Sequence, residues 1–196
     1  MIWQTLLDVD RQLLLALNGD GGPFWDNFFY VVSAKLTWVP LYVLLLYCIW
    51  RQLGWRGLLW SVVILGVSVG LADQICNFFK HYTPKFRPTH TPDIEMWVHT
   101  VKDYRGGLYG TVSAHAAISF TIAVYTALLF RRWWYTVLIV GWALLMAYSR
   151  IYLGVHFPMD ICLGAILGIA VGVGAYRLFM WRMRKGSRPG KLPDKS

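Results

Sequence analysis

Charge is the scarcest thing in this chain. Only 15% of its 196 residues are Asp, Glu, Lys or Arg, against 57% hydrophobic, and the mean hydropathy is +0.45. A soluble domain needs more polar surface than this, so the composition points to the membrane class and the length to one domain. Acid is scarcer than base, with 10 Asp and Glu against 19 Lys and Arg and a net charge of +9. Such a balance can serve nucleic acid. Here, though, the cations sit in short connectors and at the C-terminal end, the pattern of membrane topology, and no nucleic-acid partner is expected. Cysteine is nearly missing too. Cys48, Cys76 and Cys162 each lie in an apolar run with no paired spacing, which excludes a disulfide framework and a thiolate metal site. The opening "MIWQTLLDVDRQLL" lacks a basic start and carries Asp8, Asp10 and Arg11, so it does not read as a secretory signal. No internal repeat is visible.

Long apolar runs are what the chain does have. A spanning helix needs about 20 mostly apolar residues. Segments near 28–50, 57–79, 113–130, 133–149 and 158–181 meet or approach that length. The third and fourth are joined only around Arg131 and Arg132 and should form an antiparallel hairpin. Residues 3–17 differ. Leu6, Leu7, Leu13, Leu14 and Leu17 alternate with Asp8, Asp10 and Arg11 at a helical period, which predicts an amphipathic helix lying in the interface. "NGDGGP" at 18–23 then breaks the chain. The expected fold is therefore an all-α integral-membrane bundle of about five transmembrane helices plus an N-terminal interfacial helix. It divides into residues 1–23 (helix and turn), 24–181 (transmembrane domain) and 182–196 (a basic, solvated cytoplasmic tail).

Basic residues orient the bundle. Arg51 and Arg56, then Arg131 and Arg132, then Arg177, Arg182, Arg184, Lys185, Arg188 and Lys191 all fall on one side of a five-span chain, which makes that side cytoplasmic. The N-terminus, the loop 80–112 and the stretch "SRIYLGVHFPMD" at 149–160 fall on the other. The outer loop carries Lys and Arg against the rule, so those cations should have another task.

That task is legible in three clusters at the outer ends of spans. "KHYTPKFRP" supplies Lys80, Lys85 and Arg87; "VSAHA" supplies Ser113 and His115; "SRIYLGVHFPMD" supplies Arg150, His156 and Asp160. Lys80, Arg87 and Arg150 suit the oxygens of one phosphate. Ser113 should cap the third span and leave the backbone N–H groups of Ala114 and His115 facing an anion. Of two imidazoles at one phosphate, a neutral one attacks and a charged one protonates the leaving oxygen. Pro158 should open the last span and put Asp160 in its first turn, four residues after His156, where a carboxylate can orient that ring. His156 is thus the expected nucleophile and His115 the expected general acid.

Lys80-x6-Arg87-Pro88, Ser113-x-His115 and Ser149-Arg150-x5-His156-x3-Asp160 resemble the three signature motifs of the type-2 phosphatidic acid phosphatase superfamily, whose core is similar to that of vanadium haloperoxidases. The resemblance covers roughly residues 24–180. The second motif departs from Pro-Ser-Gly-His, with Val112 and Ala114 at the first and third places. The resemblance implies a phosphohistidine on His156 assisted by Asp160, proton donation by His115, phosphate binding by Lys80, Arg87, Ser113 and Arg150, and no metal or other cofactor.

The expected function is a lipid phosphatase of the bacterial inner membrane with its site at the periplasmic face. Its partners are the bilayer and a membrane lipid phosphate, and its oligomeric state is open. Undecaprenyl diphosphate is the favoured substrate, lipid A comes next, and phosphatidylglycerol phosphate and phosphatidic acid are also candidates. A vanadate-dependent oxidase and a non-catalytic phospholipid binder or transporter are the competing readings. Around the motifs, Asp73 with Asn77 should brace a motif cation, and Lys35 should snorkel outward. Lys85 is either a second phosphate contact or a solvent lysine. Trp38, Trp50, Trp133, Trp134 and Trp181 should form interface belts, and Trp97 is an outer-loop residue that could instead meet a headgroup. His81, His90 and His99 read as loop residues.

Overall fold

The computed structural model describes residues 2–186, and among these there are helices, loops and one isolated β-bridge but no strand. The helices are α1 (Ile2–Leu17), α2 (Pro23–Ser33), α3 (Val39–Tyr82), α4 (Ala114–Phe130), α5 (Trp133–Tyr152) and α6 (Pro158–Gly186). The expected all-α membrane architecture is thus the observed one. Residues 35–82, 133–152 and 158–185 are long and apolar enough to cross a membrane, and α4 is shorter.

α3 is two helices joined by a reversal. Gly54 sits inside it at φ 66°, ψ −173°, a conformation open to glycine and costly for other residues. The arms 39–53 and 55–82 fold back on each other, so that Tyr42, Leu45 and Ile49 line one groove with Val69, Leu65 and Val62. These arms correspond to the first two expected spans, with one difference. The run 28–50 is not continuous: α2 ends at Ser33, Ala34 is extended, and a 3-10 turn of Lys35–Trp38 leads into α3. Pro40, in the first turn of α3, has no N–H to continue a helix arriving from behind. Trp38 belongs to this break, since its indole N–H donates to the Val32 carbonyl at 2.7 Å and its ring stands edge-on to Trp142.

α4 is the axis of the bundle. Ala116, Ala117, Phe120, Ala123 and Tyr125 are buried along it, with α3, α5 and α6 around it. Surrounded by protein, it need not match the bilayer itself, which explains a helix of only 17 residues. Its closest neighbour is α6, through a small-residue seam. A Cβ added at Gly164, Gly168 or Gly172 would lie 2.5, 2.4 or 2.9 Å from the carbonyl oxygens of Ser113, Ala117 and Thr121. Spacing by four puts the three glycines on one face, where backbones can touch. Outward, Leu44, Val63, Val67, Leu138 and Ile166 are exposed, as lipid-facing residues should be.

α1 confirms the expected helix but turns a different face inward. Asp10, Leu14 and Asn18, at i, i+4 and i+8, are buried, while Leu6, Val9 and Leu13 are exposed. The Asn18 side chain donates to the carbonyls of His99, Ile151 and Tyr152 and accepts from the His99 N–H at 2.7 Å. Asp10 accepts from the Met159 N–H at 2.8 Å, at the opening of α6. At the other terminus α6 runs on to Gly186, so the start of the expected tail is helical; residues 187–196 lie outside the described residues.

Candidate active site

Three connections at one end of the bundle carry the motif residues. Lys80 stands in the last turn of α3, on the same helix face as Asp73 and Asn77. The chain then pairs briefly with its own return. Phe86 bridges Tyr109, the Arg87 N–H donates to the Leu108 carbonyl at 3.0 Å, and the Gly110 N–H donates to the Lys85 carbonyl at 2.9 Å. Gly106 and Gly110 close over Arg87, where added Cβ atoms would lie 2.5 and 2.8 Å from its side chain. Ser113 is fully buried and caps α4, accepting from the Ala116 N–H at 3.4 Å, and its own N–H donates to the Asp160 carbonyl at 3.0 Å. That bond and the glycine seam lock the His115 end of α4 to the start of α6.

Between α5 and α6 the chain turns tightly. Val155 N–H donates to the Arg150 carbonyl at 3.1 Å, and Gly154 takes φ 67° against Val98 and the His99 carbonyl. This turn brings Arg150, from the last turn of α5, beside His156. Pro158 opens α6 and Asp160 lies in its first turn. Oδ2 of Asp160 accepts from the Phe157 N–H at 3.1 Å and lies 3.4 Å from Nδ1 of His156. His156 is 2% exposed and Asp160 1%.

Lys80, Arg87, Ala114, His115, Arg150 and His156 line one cavity of about 420 Å³. The cationic groups in it are under-used. Nη1 of Arg87 and Nε of Arg150 are buried with no hydrogen-bond partner among the described residues. Arg87 spends Nε on the Tyr109 carbonyl, and Arg150 spends Nη1 on Ser33 and Nη2 on the Tyr104 hydroxyl. Buried guanidinium donors left unpaired are costly, and a tetrahedral oxyanion would satisfy them. Burial, then Arg87, Arg150 and Lys80, hold the His156 imidazole well below its ordinary 6.5, so it is neutral at neutral pH.

All the expected site residues therefore gather at one end of the bundle. Lys80, Arg87, Ala114, His115, Arg150 and His156 face the cavity, and Ser113 and Asp160 support it from behind. The cavity also admits Lys35, Asp73, Tyr104 and Gly107. Asp73 accepts from Asn77 at 3.0 Å, and no ion pair joins it to Lys80 among the described residues. Tyr104, whose ring lies 5.7 Å from the Arg150 guanidinium, carried no sequence signal, because only the fold of the outer loop brings it there. Lys85 is half-buried and does not line this cavity; its ammonium is held by Asp10 and Asp160 at 3.1 and 3.0 Å. His99 is not a free loop residue either, since its Nε2 lies 2.9 Å from Asp26.

A family model of the PAP2 superfamily matches residues 61–184, which hold all three clusters. The chain belongs to the PAP2 superfamily. Within it, the lipid A 4'-phosphatase of Bacteroides thetaiotaomicron is 41% identical over 84% of the PAP2 chain and 74% of the relative. The lipid A 4'-phosphatase of Porphyromonas gingivalis is 40% identical over 91% and 76%. A crystal structure of Aquifex aeolicus LpxE superposes with a TM-score of 0.64 at 23% identity, covering 85% of this chain and 93% of that one. The PAP2-type phosphatidylglycerolphosphate phosphatase of Bacillus subtilis superposes at 0.63 with 16% identity, covering 95% and 90%, and these two speak for the fold. The PAP2 chain is an enzyme of the membrane lipid phosphatase branch, from a family found in bacterial membranes.

Proposed function

We propose that the protein removes the 4'-phosphate of lipid A or of a closely related phosphorylated glucosamine lipid, at the extracytoplasmic face of the inner membrane, through a phosphohistidine. The observation that carries the reaction is the set of unpaired guanidinium nitrogens of Arg87 and Arg150 around a neutral, carboxylate-backed His156. Lys80, Arg87, Arg150 and the N-terminal amides of α4, capped by Ser113, hold the phosphate oxygens. With Nδ1 turned to Asp160, Nε2 of His156 attacks phosphorus. The P–O bond to the sugar breaks, and His115 gives its proton to the leaving oxygen. Water then gives a proton to His115 as its oxygen attacks phosphorus, the N–P bond breaks, and inorganic phosphate leaves. Positioning and charge supply the catalysis.

Substrate choice rests on the two lipid A 4'-phosphatases that resemble this chain over most of its length. The favoured sequence reading, undecaprenyl diphosphate, has weaker support: 28% identity over 158 residues to a putative undecaprenyl-diphosphatase of Escherichia coli, and 45% over only 60 residues to an undecaprenyl-diphosphatase of Sulfolobus acidocaldarius. The orientation rests on the opposite end of the bundle, where Arg51, Arg56, Arg131 and Arg132 are exposed. Purified protein in EDTA should release phosphate from lipid A, with mass spectrometry showing loss of the 4' group and none from His156→Ala. Release from undecaprenyl diphosphate but not lipid A would hand the assignment to that second reading. Undiminished turnover by His156→Ala would end the mechanism.

A further inference from the structure

Behind the carboxylate that backs His156 lies a second arrangement of charge. The Lys85 ammonium sits between two buried carboxylates, 3.0 Å from Oδ1 of Asp160 and 3.1 Å from Oδ2 of Asp10. Their side chains are 2% and 4% exposed, and that of Lys85 is 27% exposed. The ammonium also lies 4.3 Å from the centre of the Phe157 ring. Asp10 is itself tied down, because its other oxygen accepts from the Met159 N–H at 2.8 Å. The backbone of Lys85 is anchored by the Gly110 N–H.

These groups do not belong to the phosphate cavity. Asp10, Lys85 and Asp160 line a separate cavity of about 440 Å³ on the α1 side, and Lys80, Arg87, Arg150 and His156 are not part of its wall. Lys85 is therefore placed to act on Asp160 and not on a bound phosphate. Both oxygens of Asp160 are committed: Oδ2 to the Phe157 N–H and His156, and Oδ1 to Lys85. A carboxylate orients an imidazole only if its own rotation is fixed, and partners one layer out fix it.

We propose that Lys85, held in turn by Asp10 of α1, is a positioning residue that fixes the Asp160 carboxylate and through it the His156 ring. The inference rests on the phosphohistidine reading above. It makes α1 part of the catalytic apparatus: the helix whose exposed face carries Leu6, Val9 and Leu13 reaches the nucleophile in three contacts, Asp10 to Lys85, Lys85 to Asp160 and Asp160 to His156. Removing the ammonium frees Oδ1, sets two buried carboxylates against each other, and lets the ring leave its line of attack.

The test compares Lys85→Met, Lys85→Arg, Asp10→Asn, Asp160→Asn and His156→Ala in detergent-purified full-length protein, with a lipid phosphate as substrate and inorganic phosphate as competitive inhibitor. Lys85→Met should lower kcat by about 10- to 100-fold, the usual cost of losing such a partner, with KM and phosphate inhibition held within about twofold. Lys85→Arg should recover most of the loss, and Asp10→Asn should lose less than Lys85→Met. If Lys85→Met does not fold, Asp10→Asn carries the same kcat-against-KM reading. Unchanged kcat in Lys85→Met and Asp10→Asn beside inactive His156→Ala and Asp160→Asn overturns the proposal and leaves the mechanism standing. A rise in KM and weaker phosphate inhibition at constant kcat also overturns it, by making Lys85 a substrate ligand. An active His156→Ala removes the mechanism, and the proposal with it.

Discussion

The two ends of this bundle hold the same kind of side chain in opposite circumstances. At one end Arg51, Arg56, Arg131 and Arg132 are exposed, and Arg182 and Lys185 lie over the rings of Trp60 and Trp181 at 4.2 and 4.1 Å. At the other, Arg150 is 3% exposed and shares a cavity with Lys80 and Arg87, with nitrogen atoms left unpaired. Guanidinium at a helix end is ordinary, and in water it does little beyond setting topology. The same group withdrawn from water, with donors unspent, is a demand for an anion. Burial separates the cations of one end from those of the other.

That contrast can be broken at either end. The largest effect belongs to His156→Ala, which should lower phosphate release on the order of 10³-fold or more, since it removes the proposed nucleophile. Activity near the wild-type level would place the chemistry elsewhere. Arg150→Ala should cost about 10²-fold or more in kcat/KM, because an anion loses a buried guanidinium. A loss no greater than that of Arg132→Ala would erase the distinction between the ends. Gly168→Val tests what holds the site together. Its Cβ would lie 2.4 Å from the Ala117 carbonyl oxygen, so the seam must open. Melting in detergent should fall by several degrees, reflecting about 1–3 kcal/mol of overpacking.

The pH profile gives a smaller and sharper test. On the proposed mechanism neutral His156 is the reactive form, and its surroundings hold it well below 6.5. As pH falls through 6.5 the ring stays unprotonated, so the acid limb of kcat/KM should lie below that value. An acid limb centred at or above 6.5 contradicts the burial argument. Smallest of all, Arg131→Ala and Arg132→Ala should leave kcat/KM within about twofold, as exposed charges remote from a site do.

Much of the bundle was legible because its rules are local. Hydropathy marked the apolar runs, and Arg131-Arg132 marked the turn between α4 and α5, where Arg131 takes a left-handed conformation at φ 53°. The break before α3 was harder. Residues 28–50 are mostly apolar, and only Ser33, Lys35, Thr37 and Pro40 hinted that α2 and α3 are separate helices. Lys80, Arg87, His115, Arg150, His156 and Asp160 stood out because ionisable groups at fixed spacing are expensive at a membrane and so need a reason, and Ser113 stood out as the cap before His115.

Other features carried no such mark. Tyr104 reaches Arg150 across a loop. Asp10 looked like one polar residue among several on an amphipathic helix, until its i, i+4, i+8 stripe with Leu14 and Asn18 proved to be the buried face. Lys85 could not be told from a solvated lysine until α1 and α6 closed on it from both sides. Solvation and spacing along one helix are properties of neighbouring residues, and the chain order carries them. Which distant charge meets which is settled when helices pack, because a few ångströms of approach and the exclusion of water turn a lysine that could sit in solvent into one held between two buried carboxylates.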